Sequence, residues 1–234
     1  MKIVTGAARG IGKAIAHRLA AEGEPLVLVD LAPTLAETAL EIEALGVEVR
    51  PVQVDLTSED GPAAVAEACG SDGVSLLVNN AGITRDARLV NMTEDDFRLV
   101  LDVNLGSVYH LSQAIRPLLT EGSAIVNLAS RAYLGNFGQY NYSMSKGAVV
   151  GLTRAMSIEL APRTRVNAIA PGLIGTEMAL GIPDEIRERM ISAIPMARMG
   201  EPSEVAELVT FLGSERSGYI TGHVVVIGGG RSLT

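Results

Sequence analysis

The sequence predicts an α/β fold in which a doubly wound parallel sheet has helices on both faces. Short apolar runs recur along the chain, and segments with helical spacing separate most of them, which is typical of repeated right-handed βαβ units. The chain has 234 residues, a length that fits one domain better than two. It contains no Ser- or Pro-rich linker and no internal repeat, so we expect a single domain over 1–234.

The predicted strands are rich in Val, Ile and Leu and mostly lack polar alternation, as expected of strands buried on both faces. They are Ile3–Thr5, Leu26–Asp30, Val47–Val54, Leu76–Asn79, Ala124–Leu128, Arg165–Ala170 and Val224–Ile227. The clearest helical spacing lies in Gly12–Glu22, Thr34–Leu45 and Tyr142–Leu160. The least regular stretch is Gly172–Pro202, and its position late in an α/β sheet predicts a mobile flap over a site at the strand ends.

Composition excludes several classes of function. The net charge is −8 and the pI is near 5.0, so the basic footprint of a nucleic-acid-binding protein is missing. No apolar run approaches the roughly 18 residues of a membrane helix, and strand-like residues from Lys2 onward leave no room for a signal peptide. A lone Cys69 excludes an intrachain disulfide and a thiolate metal cluster, and His17, His110 and His223 lie in no ligand spacing. We therefore expect a cytoplasmic protein without a metal, a membrane or a nucleic-acid partner.

A glycine-rich loop, TGAARGIG at 5–12, follows the first predicted strand and opens the first predicted helix. Gly6 permits a tight turn, Gly10 lets the backbone approach a pyrophosphate, and Gly12 lets the helix pack close to the sheet. The helix N-terminus then offers N–H groups and a positive dipole end to the phosphates. The spacing matches the general dinucleotide fingerprint only loosely, so the loop alone also fits an ordinary glycine-rich turn.

Asp30 closes the second predicted strand, at nearly the separation from the glycine loop at which an acidic residue binds the adenosine ribose. It fits a helix N-cap as well, since a helix follows shortly. In the ribose role its carboxylate accepts hydrogen bonds from the hydroxyls and repels a 2′-phosphate, whereas Arg9 could pair with that phosphate. Because losing one charge-assisted hydrogen bond costs about 1.5–3 kcal/mol, the sequence favours NAD over NADP.

Tyr142 and Lys146 are four residues apart at the start of a predicted helix, so both side chains lie on one face. A free tyrosine has a pKa of about 10, and a neighbouring ammonium group is expected to lower that pKa. Ser130, at the end of the fifth predicted strand, lies where a doubly wound fold binds ligands. Such a Tyr–Lys pair is usually only an exposed pair and such a serine a cap, but their combination with a dinucleotide loop favours a catalytic group.

Ordered motifs extend this pattern over essentially the whole chain. They are TGAARGIG at 5–12, VDLT at 54–57, NNAGITRD at 79–86, VNL at 103–105, NLAS at 127–130, GNFGQYNYSMSK at 135–146, RVNAIAPGLIGTEM at 165–178 and GYITGHVVVIGGG at 218–230. With these motifs the chain resembles the short-chain dehydrogenase/reductase family, and within it the 3-oxoacyl-(acyl-carrier-protein) reductase-like branch.

The resemblance implies a Rossmann-like fold with a seven-stranded parallel sheet, an alcohol–ketone oxidoreductase, and a homotetramer or dimer. The implied catalytic residues are Asn104, Ser130, Tyr142 and Lys146. Asn104 would support a water that relays protons from Lys146 to solvent, and Asp55 would contact the adenine; each could instead be only a polar group at a helix or strand end. The cofactor contacts expected are Gly6, Arg9, Gly10, Ile11, Gly12, Asp30, Leu31, Asp55, Leu56, Asn80, Ala81, Gly82, Tyr142, Lys146, Pro171, Gly172, Ile174 and Thr176. The resemblance makes Asn79 structural, bonded to backbone in the sheet.

Two departures from that branch bear on the substrate. The interval from Ser130 to Tyr142 is one residue shorter than in typical members, so Tyr133 and Leu134 can reshape the pocket. The stretch ahead of the fifth predicted strand, 118–123, carries Glu121 where basic residues would receive an acidic carrier protein.

The sequence therefore favours an NAD-linked dehydrogenase of a 3-hydroxyacyl or 3-oxoacyl thioester or a small hydroxy compound. The alternative is an NADPH-dependent 3-oxoacyl-(acyl-carrier-protein) reductase. A nucleotide-sensing binding protein or a methyltransferase on the same scaffold would leave the Ser–Tyr–Lys combination unexplained.

Overall fold

The computed structural model describes residues 1–231, apart from the side chain of Met178, and over this range it contains one seven-stranded parallel sheet. The strands are β1 (Lys2–Thr5), β2 (Leu26–Asp30), β3 (Val49–Gln53), β4 (Val74–Asn79), β5 (Leu119–Leu128), β6 (Thr164–Pro171) and β7 (Val224–Ile227). Their order is β3-β2-β1-β4-β5-β6-β7, and every adjacent pair is parallel. The doubly wound α/β fold expected from the sequence is confirmed.

Helices cover both faces of this sheet. They are α1 (Gly10–Ala20), α2 (Leu35–Glu43), α3 (Gly61–Cys69), α4 (Glu94–Leu101), α5 (Ser107–Ile115), α6 (Tyr140–Glu159), α7 (Glu177–Leu180), α8 (Asp184–Ser192) and α9 (Pro202–Gly213). Helices α1, α2 and α9 share one apolar core with the sheet, while α3 and α5 share another. Helix α4 packs against α6, and a π-helical turn, Asp102–Gly106, joins α4 to α5. None of the helices in the described range is long and apolar enough to cross a membrane.

The alternation of side chains across the central strands explains these two cores. Val4 and Leu28 face the core built with α1 and α9, whereas Ile3 and Val27, their chain neighbours, face the core built with α3 and α5. All four side chains are fully buried. A strand buried on both faces needs apolar residues at every position, which is why these strands lack polar alternation.

The order of the strands places the site. Strand β1 lies between β2 and β4, so the chain leaves the carboxyl end of β1 toward one face and later leaves β4 toward the other. Ligands of open α/β sheets bind at such a point, outside the carboxyl ends of the strands. The glycine loop follows β1 at this position, and the segment that begins with Asn80 follows β4.

Most boundaries differ from the sequence expectation by one or two residues: β3 is shorter than the expected Val47–Val54, β4 begins at Val74 rather than Leu76, and α1 is Gly10–Ala20 rather than Gly12–Glu22. Strand β5 begins at Leu119 rather than Ala124, because a register shift against β4 lets Val74 pair with Leu119 before Leu76 pairs with Ala124. The expected flap, Gly172–Pro202, is partly regular and contains α7 and α8. Helix α6 begins two residues before Tyr142, so that residue lies within the first turn.

Candidate active site

A cleft of about 460 Å³ opens at the carboxyl ends of the strands. It brings together many of the residues that the sequence singles out. Those that line it are Ile11, Asn80, Gly82, Ser130, Tyr142, Lys146, Pro171, Gly172, Ile174 and Thr176. The catalytic group and part of the proposed cofactor set therefore share one space, although they come from distant parts of the chain.

The glycine loop depends on backbone conformations that other residues rarely adopt. Gly6 and Gly10 have φ of +65° and +57°, which lie in the left-handed region. A Cβ at Gly12 would lie 1.9 Å from the Gly6 carbonyl oxygen, so α1 can approach the loop only without a side chain there. A Cβ at Gly10 would contact only Thr176, at 3.5 Å. Open space therefore remains beside the loop, next to the N–H groups at the start of α1.

Hydrogen bonds from the end of β4 hold the start of this loop. Asn80 Nδ2 donates to the carbonyl oxygens of Thr5 (2.9 Å) and Gly6 (3.2 Å), and the Asn80 and Ala81 backbone N–H groups both donate to Thr5 Oγ1 at 2.9 Å. Asn80 and Ala81 thus hold the loop in place, and Asn80 also lines the cleft.

Asn79 has the structural role that was expected, but its partners are different. Its Nδ2 donates to Asn127 Oδ1 (2.8 Å) and Ser112 Oγ (3.3 Å), side chains rather than backbone. All three residues are buried, so these bonds satisfy polar groups inside the sheet layer.

Asp30 is fixed beside the glycine loop by two backbone amides. Its Oδ2 accepts from Ala8 N at 3.0 Å and its Oδ1 accepts from Ala32 N at 2.9 Å. The N-cap of α2 is Thr34, so the alternative role of Asp30, as the cap of this helix, is wrong. The carboxylate is held at the mouth of the loop, as a ribose-binding group requires. Leu31 beside it is 63% exposed, and its side chain offers an apolar surface at the same edge.

Arg9 occupies the N-cap position of α1, and its side chain extends outward. The side chain is 75% exposed, and its Nη1 lies 3.7 Å from Glu177 Oε2 on α7. The ion pair therefore bridges the glycine loop and the 172–202 segment. A surface pair of this kind is weak because water screens it, so Arg9 can turn toward solvent or toward a phosphate.

Asp55 and Leu56 form the turn between β3 and α3. Asp55 Oδ1 accepts from Thr57 N (2.8 Å) and Thr57 Oγ1 (2.7 Å), a local bonding pattern of a strand end. The side chain of Leu56 is buried in the core, so only its backbone is available to a nucleotide. The proposed adenine contact at Asp55 remains a prediction.

Ser130, Tyr142 and Lys146 converge where β5 ends beside the first turns of α6. Ser130 Oγ accepts from Ala132 N at 3.1 Å, which fixes its hydroxyl at the start of a 3₁₀ turn, Arg131–Leu134. Lys146 Nζ donates to the Leu128 carbonyl oxygen at 2.8 Å and lies 5.7 Å from the centre of the Tyr142 ring. Both polar groups thus border the same part of the cleft as the phenol.

The pKa of Tyr142 differs from the sequence expectation. Burial raises this pKa above its usual value, the hydrogen bond with Ser130 lowers it, and the charge of Asp86 raises it further. The expected lowering by Lys146 is not found. Lys146 is itself buried and donates to a backbone carbonyl. Burial lowers the pKa of Lys146 to about 8. Tyr142 therefore keeps its proton near neutral pH, while Lys146 titrates close to physiological pH.

Asn104 lies in the π-helical turn between α4 and α5 and is fully buried. Its Oδ1 accepts from Ile83 N (2.8 Å), and its Nδ2 donates to the Ile83 carbonyl (3.0 Å) and to Ser145 Oγ (3.0 Å). A Cβ at Gly82 would lie 3.1 Å from Asn104 Oδ1 and 3.3 Å from Lys146 Nζ. Asn104 therefore lies beside Lys146 and holds the cleft wall after β4, while its role in a water relay remains a prediction.

The segment after β6 closes the other side of the cleft. A Cβ at Gly172 would lie 2.9 Å from the Gly228 Cα, so the two backbones approach closely there. Gly200 N donates to the Leu173 carbonyl at 3.0 Å, and Gly175 N donates to the Gly200 carbonyl at 2.8 Å. These bonds hold the part of the chain that carries Ile174 and Thr176, two of the expected cofactor contacts.

Several residues of the cleft were missed by the sequence reasoning, among them Asp86, Arg131, Gln139 and Arg231. Arg131 carries a usable signal, because it directly follows a serine at a strand end. Arg231 lies beyond the last glycines, and nothing in the local sequence indicates that this part of the chain reaches the site.

Comparison with known proteins accounts for this arrangement. The family described as Enoyl-(Acyl carrier protein) reductase matches residues 6–232. The chain belongs to the short-chain dehydrogenase/reductase family. It is accordingly an NAD(P)-dependent oxidoreductase that interconverts ketones and alcohols.

Similar members are named 3-oxoacyl-[acyl-carrier-protein] reductase FabG. The one from Thermotoga maritima is 42% identical over 235 residues, covering 97% of this chain and 96% of the relative. The one from Aquifex aeolicus is 40% identical over 238 residues, covering 98% and 96%. A solved short-chain dehydrogenase/reductase from Brucella melitensis, titled glucose/ribitol dehydrogenase, has a TM-score of 0.94 and 35% identity, with 98% of this chain and 95% of that chain covered.

Proposed function

We propose that this protein is an NAD(H)-dependent dehydrogenase that interconverts a secondary alcohol and a ketone. Its substrate is a 3-hydroxyacyl or 3-oxoacyl thioester or a small hydroxy compound. The observation that carries the cofactor choice is the Asp30 carboxylate, held at the glycine loop by the Ala8 and Ala32 amides. A carboxylate in that place accepts hydrogen bonds from ribose hydroxyls and repels a 2′-phosphate.

The residues present fit a dinucleotide along the cleft. The amides at the start of α1 receive the pyrophosphate, Asp30 the adenosine ribose, and the segment with Ile174 and Thr176 the nicotinamide. When bound, the cofactor supplies or accepts the hydride at the substrate carbon.

The side chains of the cleft handle the proton. Ser130 and Tyr142 donate hydrogen bonds to the substrate oxygen, and Tyr142 gives its phenolic proton to that oxygen during reduction. Burial keeps the Tyr142 pKa above its usual value, so the proton is available at neutral pH. Lys146, with a pKa of about 8, stabilises the phenolate that forms and passes a proton back through a water at Asn104. Oxidation is the reverse, with Tyr142 as the base.

The test is a side-by-side titration with NADH and NADPH, following reduction of acetoacetyl-CoA by the purified protein, or of acetoacetate where the thioester is not reduced. We expect kcat/KM to favour NADH, and the preference to fall by about tenfold to a hundredfold in Asp30→Ala, the cost of one charge-assisted hydrogen bond. Glu43→Ala is the matched control, because it removes an exposed carboxylate from α2, the helix that follows Asp30. This variant should behave as the wild type.

A preference for NADPH that Asp30→Ala leaves unchanged would contradict the cofactor assignment. It would also favour the second candidate, an NADPH-dependent 3-oxoacyl-(acyl-carrier-protein) reductase. The names of the relatives support this candidate. The exposed Glu121 weighs against it, because an acidic carrier protein would be repelled there. A direct comparison of an acyl-carrier-protein thioester with the corresponding CoA ester separates the two candidates.

Cytoplasmic location and assembly into a homotetramer or dimer remain predictions from the sequence.

A further inference from the structure

Two arginines line the active-site cleft without a part in the proton transfer. They are Arg131 and Arg231. The whole chain carries a net charge of −8, yet the charged side chains lining the cleft in the described range are these two arginines, Lys146 and one carboxylate, Asp86. The cleft is thus locally cationic within an acidic protein.

Arg131 has no carboxylate partner among residues 1–231. It is half-buried at the start of the 3₁₀ turn that follows Ser130, and it forms no ion pair in that range. The carboxylate of Asp86 instead accepts a hydrogen bond from Gln139 Nε2 at 2.9 Å. Holding a partly desolvated guanidinium without an anion is unfavourable, so the position is best explained by a ligand that brings the negative charge.

Arg231 reaches the same cleft from the other side. Its backbone N donates to the Gly228 carbonyl at 3.1 Å, and Met196 N donates to the Gly229 carbonyl at 3.1 Å, so the chain after β7 is held in place. Burial and then the charge of Arg131 lower the pKa of Arg231. Arg131 and Arg231 thus present two positive charges to one cleft, where a single anion can meet both.

The pyrophosphate of the cofactor is not that anion. Its binding loop follows β1, whereas Arg131 follows β5, which is two strands or about 10 Å farther along the sheet. Arg231 follows β7, two strands beyond β5. Both arginines thus lie past Ser130 on the side away from the glycine loop, where the substrate must extend.

We propose that Arg131 and Arg231 bind a carboxylate of the substrate, so that the enzyme acts on short oxo acids and hydroxy acids. This inference rests on the proposed alcohol–ketone chemistry and narrows its substrate. A guanidinium matches a carboxylate with two parallel hydrogen bonds. Arg131 directly follows Ser130 in the chain, so a carboxylate bound there would lie a short chain away from the ketone.

The test compares acetoacetate with methyl acetoacetate, which carries the same ketone without the charge. We expect the wild type to reduce acetoacetate with at least about a tenfold higher kcat/KM, the value of one charge-assisted hydrogen bond. Arg131→Leu should lower kcat/KM for acetoacetate by a similar factor and leave the ester within about twofold, because the ester makes no such bond. Arg231→Leu should act in the same direction. Arg116→Leu removes an exposed arginine outside the cleft and should change neither substrate.

Equal use of acid and ester by the wild type, or equal losses for both in Arg131→Leu, would overturn the carboxylate site while leaving ketone reduction intact. A second readout does not depend on turnover: calorimetric binding of acetoacetate to Tyr142→Phe with NADH present. Adding Arg131→Leu should weaken this binding at least about tenfold. If no ketone is reduced but this loss is observed, the proposed function fails and the anion site stands; unchanged binding overturns the anion site.

Discussion

The two ends of the cleft are built in different ways. At the glycine-loop end, backbone geometry determines the shape of the site. Gly6 needs a positive φ, Gly12 has no room for a Cβ, and backbone amides orient Asp30. At the substrate end, side chains from separate elements form the site, with Ser130 after β5 and Tyr142 on α6. The glycine loop of the first end is local in sequence, although Asp30 and Asn80 join it from other strands. The second end exists only after the sheet has formed.

This difference separates what each end contributes. A backbone-built end binds a group that is the same in every reaction, and its residues must be Gly because of steric limits. A side-chain-built end sets chemistry and substrate choice, and its residues can change without disturbing the fold. Damage to the first end should therefore affect stability and cofactor binding, and damage to the second should affect turnover.

The largest effect is expected from a substitution that changes the substrate end alone. Tyr142→Phe removes the phenolic proton and should lower kcat by at least about a thousandfold, within the range that general acid catalysis contributes. Its dissociation constant for NADH, measured by fluorescence titration, should stay within about threefold, less than one hydrogen bond.

Tyr140→Phe is the matched control for this variant. It removes a hydroxyl two residues earlier on α6, from a ring that is 48% exposed and lies 6.0 Å from the Phe97 ring. We expect almost unchanged kcat. Appreciable turnover by Tyr142→Phe would remove that residue from its role and leave the substrate end without a proton donor.

The next largest effect is expected from a substitution at the glycine-loop end. Gly12→Ala places a methyl group against the Gly6 carbonyl, and overpacking against backbone should cost about 3 kcal/mol of unfolding free energy. Chemical denaturation and NADH titration should both report the damage. Gly151→Ala is the control, because a Cβ there meets nothing within 4 Å in α6, and it should stabilise the protein by about 0.5–1 kcal/mol. A stable Gly12→Ala variant with normal NADH affinity would show that the loop tolerates a side chain.

The same contrast explains how much the sequence could predict. The seven strands and the glycine loop follow from local patterns, since apolar runs of strand length and a turn before a helix are visible in adjacent residues. The start of β5 at Leu119 depends on a register shift against Val74 and Leu76. Such a shift is set by packing between distant segments, so no local pattern in 118–123 indicates it.

The site shows the same limit. The Tyr142–Lys146 spacing is local and places both residues on one helix, but the direction of the Tyr142 pKa shift is not. It depends on burial, on the hydrogen bond with Ser130 and on the charge of Asp86, all of which arise from tertiary packing. Arg231 was missed for this reason as well, because only the path of the chain after β7 brings it to the cleft.

A smaller effect, the dependence of activity and stability on pH, defines the role of Lys146. Burial lowers its pKa to about 8, so the ammonium is lost above that pH and kcat/KM for ketone reduction should fall above pH 8, by at most about tenfold per pH unit. The unfolded chain keeps this proton up to about pH 10.4, so it binds more protons than the folded chain between these values and stability rises with pH in this window.

Lys146→Met should accordingly be more stable than the wild type at pH 7, by about 1–3 kcal/mol, because it removes a buried charge. The gain should shrink toward pH 10, and the fall of kcat/KM above pH 8 should disappear from the residual activity. Urea denaturation at pH 7 and pH 10 measures the first expectation. Equal or lower stability of the variant at pH 7 would mean that Lys146 is not held at an energetic cost.

The smallest expected effect tests whether a mobile side chain at the glycine-loop end influences cofactor choice as strongly as the groups that the backbone holds in place. Arg9 is 75% exposed and its ion pair with Glu177 is 3.7 Å long, so Arg9→Ala should change the ratio of NADPH to NADH KM by less than about fivefold, as expected for a screened surface charge. Glu177→Ala releases Arg9 and should shift the ratio slightly toward NADPH. If Arg9→Ala instead reversed the cofactor preference, a mobile side chain would outweigh the fixed Asp30 carboxylate. Side chains would then determine cofactor choice, as they determine substrate choice at the other end of the cleft. The backbone would determine only phosphate binding at the glycine-loop end.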